Sequence, residues 1–202
     1  MISVRIDGKE SPITGENLPR LIDLIEFIKD YIDPGLMVTS LEIDGRTLSE
    51  EEWEFAPHHF GSATMEVTTG TPEGYLADRM PMAPEIIDNC YLMFRETRKA
   101  FIEGNSQGGN ELLQAAVNNF RAFVRWYRTM LELMPVEQRG RFSIDEQILV
   151  MTPSLERICT QQLTQAWRAT GDTIFRELEP QLDTLHSRLR SIIRNEQVLV
   201  WS

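Results

Sequence analysis

The chain alternates before it winds. Ile2, Val4 and Ile6 place an apolar residue at every second position, and Leu41 and Ile43 repeat the pattern. Each run passes into Ile-Asp-Gly and then a basic residue, Lys9 in the first copy and Arg46 in the second. Alternation running into Asp-Gly predicts a strand entering a type I′ turn, because both central positions of that turn need positive φ. Met65 and Val67 alternate again and predict a strand that closes the region. Between the two copies the period changes to that of a helix. Asn17 is placed to cap it, with Pro19 in the first turn. Leu21, Ile25, Ile28 and Ile32 form one stripe, and Asp33-Pro34-Gly35 ends the helix. A second stripe, Leu24, Phe27 and Tyr31, exceeds what one sheet needs. It is either extra core width or a docking surface, and these three residues are candidate partner contacts. Ser49 and Glu52 form a capping box, so the glutamates at 50–52 fall in the first turn of a short helix.

The order is hairpin, helix, strand and turn, short helix, strand, which is the β-grasp or ubiquitin-like order. The segment SLEIDGRTLSEEEW…ATMEVTTG resembles the sulfur-carrier branch of that fold, the small carriers of thiamin and molybdopterin synthesis. The resemblance covers about 70 residues and implies a β-grasp domain over residues 1–70. Those carriers act through a free C-terminal Gly-Gly. Here the last strand ends VTTGTPEG and the chain runs on, while Gly108-Gly109 sits between helical patterns and reads as a loop. The domain is therefore expected to serve as a module, not as a modifier.

Gly70, Pro72, Gly74, Pro81 and Pro84 mark residues 71–84 as a linker. Tyr75, Leu76, Met80 and Met82 give it enough apolar content to rest on a surface. Residues 85–202 then read as an all-α helical bundle, so the chain as a whole is α+β. The first helix carries Ile86, Ile87, Cys90, Met93, Phe94, Phe101 and Ile102, and ends at Gly104. The second carries two adjacent seams. One is Leu113, Val117, Phe120, Val124, Tyr127, Leu131 and Met134. The other is Leu112, Ala116, Asn119, Phe123, Trp126, Met130 and Leu133. Two seams predict a helix buried on two sides, with Trp126 in the core. Pro135 ends it. A short helix capped by Ser143 is expected next, and then a long one from about Pro153. Leu163, Trp167, Ile174, Leu178, Leu182, Leu185, Leu189 and Ile192 share the apolar face of that last helix. Either Pro180 kinks it, or Gly171-Asp172 ends one helix and caps another.

Charge narrows the partners. The net charge is −11, and residues 1–70 hold five basic and fourteen acidic side chains. An acidic first third repels phosphate backbones, so nucleic acid is not expected there. Arg121, Arg125 and Arg128, and Arg188, Arg190 and Arg194, are interleaved with acids and read as solvated faces. No apolar run reaches the roughly 18 residues of a membrane span. The alternating N-terminus does not read as a signal peptide. Cys90 and Cys159 read as reduced core thiols in a cytoplasmic protein.

Candidate chemistry is sparse. His58 and His59 are adjacent and would point apart in a strand, and His186 lies on a polar helix side. No spacing supplies further zinc ligands, and no nucleophile-His-acid set or phosphate loop is written in the chain. The expectation is no metal and no cofactor. The apolar tail Val198, Leu199, Val200 and Trp201 either covers its own bundle or anchors a partner, and is the second candidate contact surface. The expected function is a non-catalytic protein-interaction adaptor, assembly factor or secretion- or flagellar-type chaperone. Its partner would be a protein, and homo-oligomerisation is compatible with it. The alternative is an enzyme accessory or small-molecule-binding subunit. A deep pocket with convergent polar groups would favour that alternative; an apolar groove would favour the adaptor.

Overall fold

The computed structural model describes residues 2–15, 18–49 and 51–199, with side chains to Asn195. Within that range the protein is α+β. A mixed four-stranded sheet comes first and helices follow. The chain divides into two compact units, Met1–Tyr75 and Leu76–Ser202.

In the first unit, β1 (Ser3–Ile6) pairs antiparallel with β2 (Lys9–Thr14). Helix α1 (Leu21–Tyr31) follows, then β3 (Met37–Ile43) and β4 (Thr64–Gly70). The order across the sheet is β2-β1-β4-β3, with β4 parallel to β1 and antiparallel to β3. Alternation sends Ile2, Val4, Ile43, Met65 and Val67 to one face, where Leu21, Leu24 and Ile28 of α1 cover them. The outward positions of the central strands, Ser3, Arg5, Thr64 and Glu66, are polar, and Arg5 pairs with Glu66 at 3.3 Å.

The repeated Ile-Asp-Gly has one structural meaning. Asp7 and Asp44 have φ of 51° and 49°, and Gly8 and Gly45 both have 75°. These are the two left-handed positions of a type I′ turn. Each aspartate also reaches β4. Asp44 Oδ1 accepts the Thr64 N–H at 2.9 Å, at the start of β4. Asp7 accepts the Thr69 N–H at 2.8 Å and the Thr69 hydroxyl at 2.7 Å, near its end. Because β1 and β3 run in opposite directions beside β4, the same turn after each strand clamps opposite ends of it.

The capping box is present. Ser49 N–H donates to Glu52 Oε2 at 2.9 Å and Glu52 N–H to Ser49 Oγ at 3.4 Å, although the element that follows is only a 3₁₀ turn, Glu52–Glu54. The cap assigned to Asn17 falls outside the described residues. Arg20 is the residue before α1, and Pro19 precedes the helix instead of lying in its first turn.

The 71–84 segment is helical. It forms α2 (Pro72–Arg79) and a 3₁₀ turn (Met80–Met82), with Leu76 and Met80 buried. The second unit continues with α3 (Ala83–Ile102) and α4 (Ser106–Leu133), two helices joined by a tight turn. Gly104 takes φ 81° there, and Asn105 Oδ1 caps α4 through the Gly108 N–H at 3.0 Å. Gly108 and Gly109 are thus the first turn of α4 and not a loop. A Cβ on Gly109 would stand 2.5 Å from the Phe101 ring, so the glycine permits α3 and α4 to approach. After Pro135 come α5 (Val136–Phe142) and α6 (Asp145–Leu163). The Tyr127 hydroxyl donates to the Phe142 carbonyl at 2.8 Å inside the core, and Arg139 donates to the Glu132 and Met134 carbonyls at the end of α4.

The C-terminal helices differ from their pattern. Pro153 lies inside α6, which starts eight residues earlier at Asp145. The chain breaks at Gln165, whose φ of 55° is left-handed. It resumes as α7 (Trp167–Thr173), passes through a π-helical turn (Ile174–Leu178), and continues as α8 (Glu179–Leu199). Gly171-Asp172 does not end a helix, since both residues lie inside α7, and the irregularity near Pro180 is the π turn, after which Pro180 takes the second position of α8. Its missing N–H and its ring are absorbed by the wider turn just before it. Leu163 ends α6 and is 85% exposed, so it leaves the apolar face to which its spacing assigned it. Arg98 Nε of α3 lies 2.8 Å from Glu179 Oε1, and its guanidinium stands 4.6 Å from the centre of the Phe175 ring. Glu179 is only 6% exposed, and burial raises its carboxyl pKa above the ordinary value, against the opposing pull of Arg98.

Candidate functional site

The outer side of α1 is the first candidate surface. Leu24 is fully buried against the sheet, which removes it from the stripe proposed for a partner: it is core width. Phe27 and Tyr31 are 55% and 56% exposed and stand one turn apart. The spacing was sound, but three buried positions per two turns fill the contact with one sheet, and the rest of the stripe rotates outward. Ion pairs frame this helix. Lys29 meets Glu26 at 2.7 Å, and Arg20 meets Asp23 at 2.8 Å and Glu54 at 3.3 Å. The other predicted contact surface is described only in part. Val198 and Leu199 belong to the backbone of α8, with side chains outside the described range, and Val200 and Trp201 lie outside the described residues.

The second candidate is a groove of about 380 Å³ between α3 and α4. Ile86, Met93 and Trp126 line it and are half-buried, while Phe123 and Cys90 form its floor and are buried. The Trp126 ring centre lies 6.0 Å from that of Phe123 in a tilted contact and 6.3 Å from that of Tyr127 in an edge-on one. It is therefore not the fully enclosed core residue that the second seam predicts. Asn119 Nδ2 lies 2.9 Å from Met93 Sδ across the groove. Burial pushes the Cys90 thiol up to about 11, so it stays protonated. Cys159 is exposed on α6, a correction to its reading as a core thiol. Ile102, also read as core, is exposed at the end of α3.

A larger trough of about 1230 Å³ separates the start of α3 from α8. Glu85 and Asp88 stand on one wall, and His186, Arg190 and Arg194 on the other. The remaining histidines sit on a 3₁₀ turn, Pro57–Phe60. They do not point apart as they would in a strand: their rings stack at 4.4 Å. Among the described residues no three His, Cys, Asp or Glu side chains converge as metal ligands, and no helix is long and apolar enough to cross a membrane. Phe175 is half-exposed on the π turn and went unmarked in the sequence. Its only signal there is Pro180, five residues on.

No protein-family model, curated protein or solved structure matches this chain.

Proposed function

We propose that the protein is a non-catalytic protein-interaction adaptor of the cytoplasm, in which a β-grasp unit is joined to a helical unit. The β-grasp reading is supported by the sheet order β2-β1-β4-β3, by the parallel β1–β4 centre, and by a helix that crosses between the hairpin and β3. The observation that carries the adaptor reading is the exposed pair Phe27 and Tyr31. Aromatic side chains anchor interfaces because they bury a large area at little cost in rotamer entropy. Two of them one turn apart, on a helix whose other side already closes the core, match a docking face.

The test is the double variant Phe27→Ala/Tyr31→Ala. Its melting temperature should stay within a few degrees of wild type. The proteins that co-purify with the native chain should be lost. An unchanged set of co-purifying proteins would refute the reading. A second reading, ligand binding by an accessory subunit, draws on the trough between α3 and α8 with its facing charges. Arg190→Glu would then abolish ligand-induced stabilisation and leave protein partners in place.

A further inference from the structure

The charges around α1 limit what its docking face can take. Residues three or four apart on a helix are neighbours, so Phe27 lies between Asp23 and Asp30, with Tyr31 one turn on. Asp23 is held by Arg20 at 2.8 Å. The Asp30 side chain is exposed and makes no hydrogen bond or ion pair among the described residues. The cations beside this helix are engaged, Arg20 with Asp23 and Glu54, and Lys29 with Glu26. Of the other three bases in Met1–Tyr75, Arg5 and Arg46 are paired with Glu66 and Glu52, and Lys9 starts β2; fifteen acids stand against the five. The face thus presents two exposed rings and uncompensated negative charge. Taking Phe27 and Tyr31 as the docking face, as the adaptor reading requires, we infer that their occupant is an arginine-rich segment of another protein.

Sign disfavours the other occupants. Nucleic acid and anionic lipid share the charge of the face and are repelled by it. A second copy presents the same acidic unit, and its remaining sixteen acids and fifteen bases supply no net positive charge. An acidic segment would find Arg20 and Lys29 already paired. Arginine suits the face better than lysine. Its planar fork pairs bidentately with a carboxylate while its flat side stacks on a ring, so one guanidinium can engage Asp30 and Phe27 together. The second unit forms this combination within itself: Arg98 stands 4.6 Å from the centre of the Phe175 ring and 2.8 Å from Glu179. Phe27 and Asp30 repeat its ring and its carboxylate, one turn apart on an exposed helix flank.

Fluorescence anisotropy on the full chain tests this. The probe is a labelled amphipathic peptide of leucine, alanine and arginine, compared with counterparts that carry lysine or glutamate in place of arginine. The arginine peptide should bind, the lysine peptide about threefold or more weakly, and the glutamate peptide not at all. Asp30→Lys and Phe27→Ala/Tyr31→Ala should each weaken the arginine peptide about tenfold. Glu42→Lys makes the same change of net charge on the sheet face away from α1, and should shift binding by less than about twofold. These positions are exposed, so melting temperatures should stay within a few degrees. An arginine peptide that stays unbound at about 100 μM would overturn the inference. So would equal losses from Asp30→Lys and Glu42→Lys, which mark attraction to an acidic protein at large, or a lysine peptide that binds as tightly. Co-purifying proteins that are lost with Phe27→Ala/Tyr31→Ala but kept by Asp30→Lys would sink the arginine-rich occupant and leave the adaptor reading standing.

Discussion

At the scale of single residues, Asp7 shows what a pattern can and cannot announce. The Asp-Gly turn was legible because type I′ geometry is local. The bonds from Asp7 to Thr69 span 62 positions in the chain and leave no local trace. Those bonds, first from the Thr69 hydroxyl and then from its N–H, hold the Asp7 carboxyl below the ordinary 3.8. A carboxylate held ionised in the fold contributes stability above the pKa of the unfolded chain. It loses that contribution as pH falls through the lowered folded value. Asp7→Asn keeps an acceptor and tolerates positive φ, so it removes mainly the charge. Urea titrations should place it about 1 kcal/mol below wild type at pH 7. The gap should narrow as pH falls below the ordinary carboxylate range and through the lowered folded value. A gap that widens in acid would show that the bond does not favour the ionised form. Leu24 makes the same point about locality. Its spacing put it in a stripe with Phe27 and Tyr31, but only the sheet beneath decides where the buried arc stops.

At the scale of elements, the strands, α1, α3 and α4 were written plainly, because each has one uninterrupted period. The C-terminal helices were not. Pro153 reads as a helix start and Pro180 as a kink, yet α6 carries Pro153 within its length and Pro180 sits in the first turn of α8, behind the π turn that accommodates it. The true break, at Gln165, has no breaker residue to mark it. Gln165 holds φ 55°, where an L side chain crowds its own carbonyl at a cost of about 1–2 kcal/mol. Gln165→Gly removes that cost and adds back about 0.5–1 kcal/mol of backbone entropy in the unfolded chain. The net expectation is a gain of up to about 1 kcal/mol, seen as a rise in melting temperature. A fall would mean that the Gln165 side chain has contacts outweighing its strain.

At the scale of the whole molecule, each unit has the parts of an independent domain. The first closes Leu21, Leu24 and Ile28 over Ile2, Val4, Met65 and Val67. The second buries Phe94, Leu113, Phe123, Tyr127, Leu178 and Leu185. Most of the negative charge belongs to the first, as its fifteen acids against five bases require. Two cores with no shared residues predict two cooperative transitions. Leu24→Ala separates them. It deletes a fully buried side chain from the sheet unit, which costs about 2–5 kcal/mol and approaches the whole stability of a 75-residue domain. Hydrogen exchange resolved by peptide reads each unit separately. Exchange should quicken through β1, β4 and α1, and the centre of α4 around Phe120–Tyr127 should keep its wild-type protection. Loss of protection in α4 to the same degree would show that the two cores unfold as one.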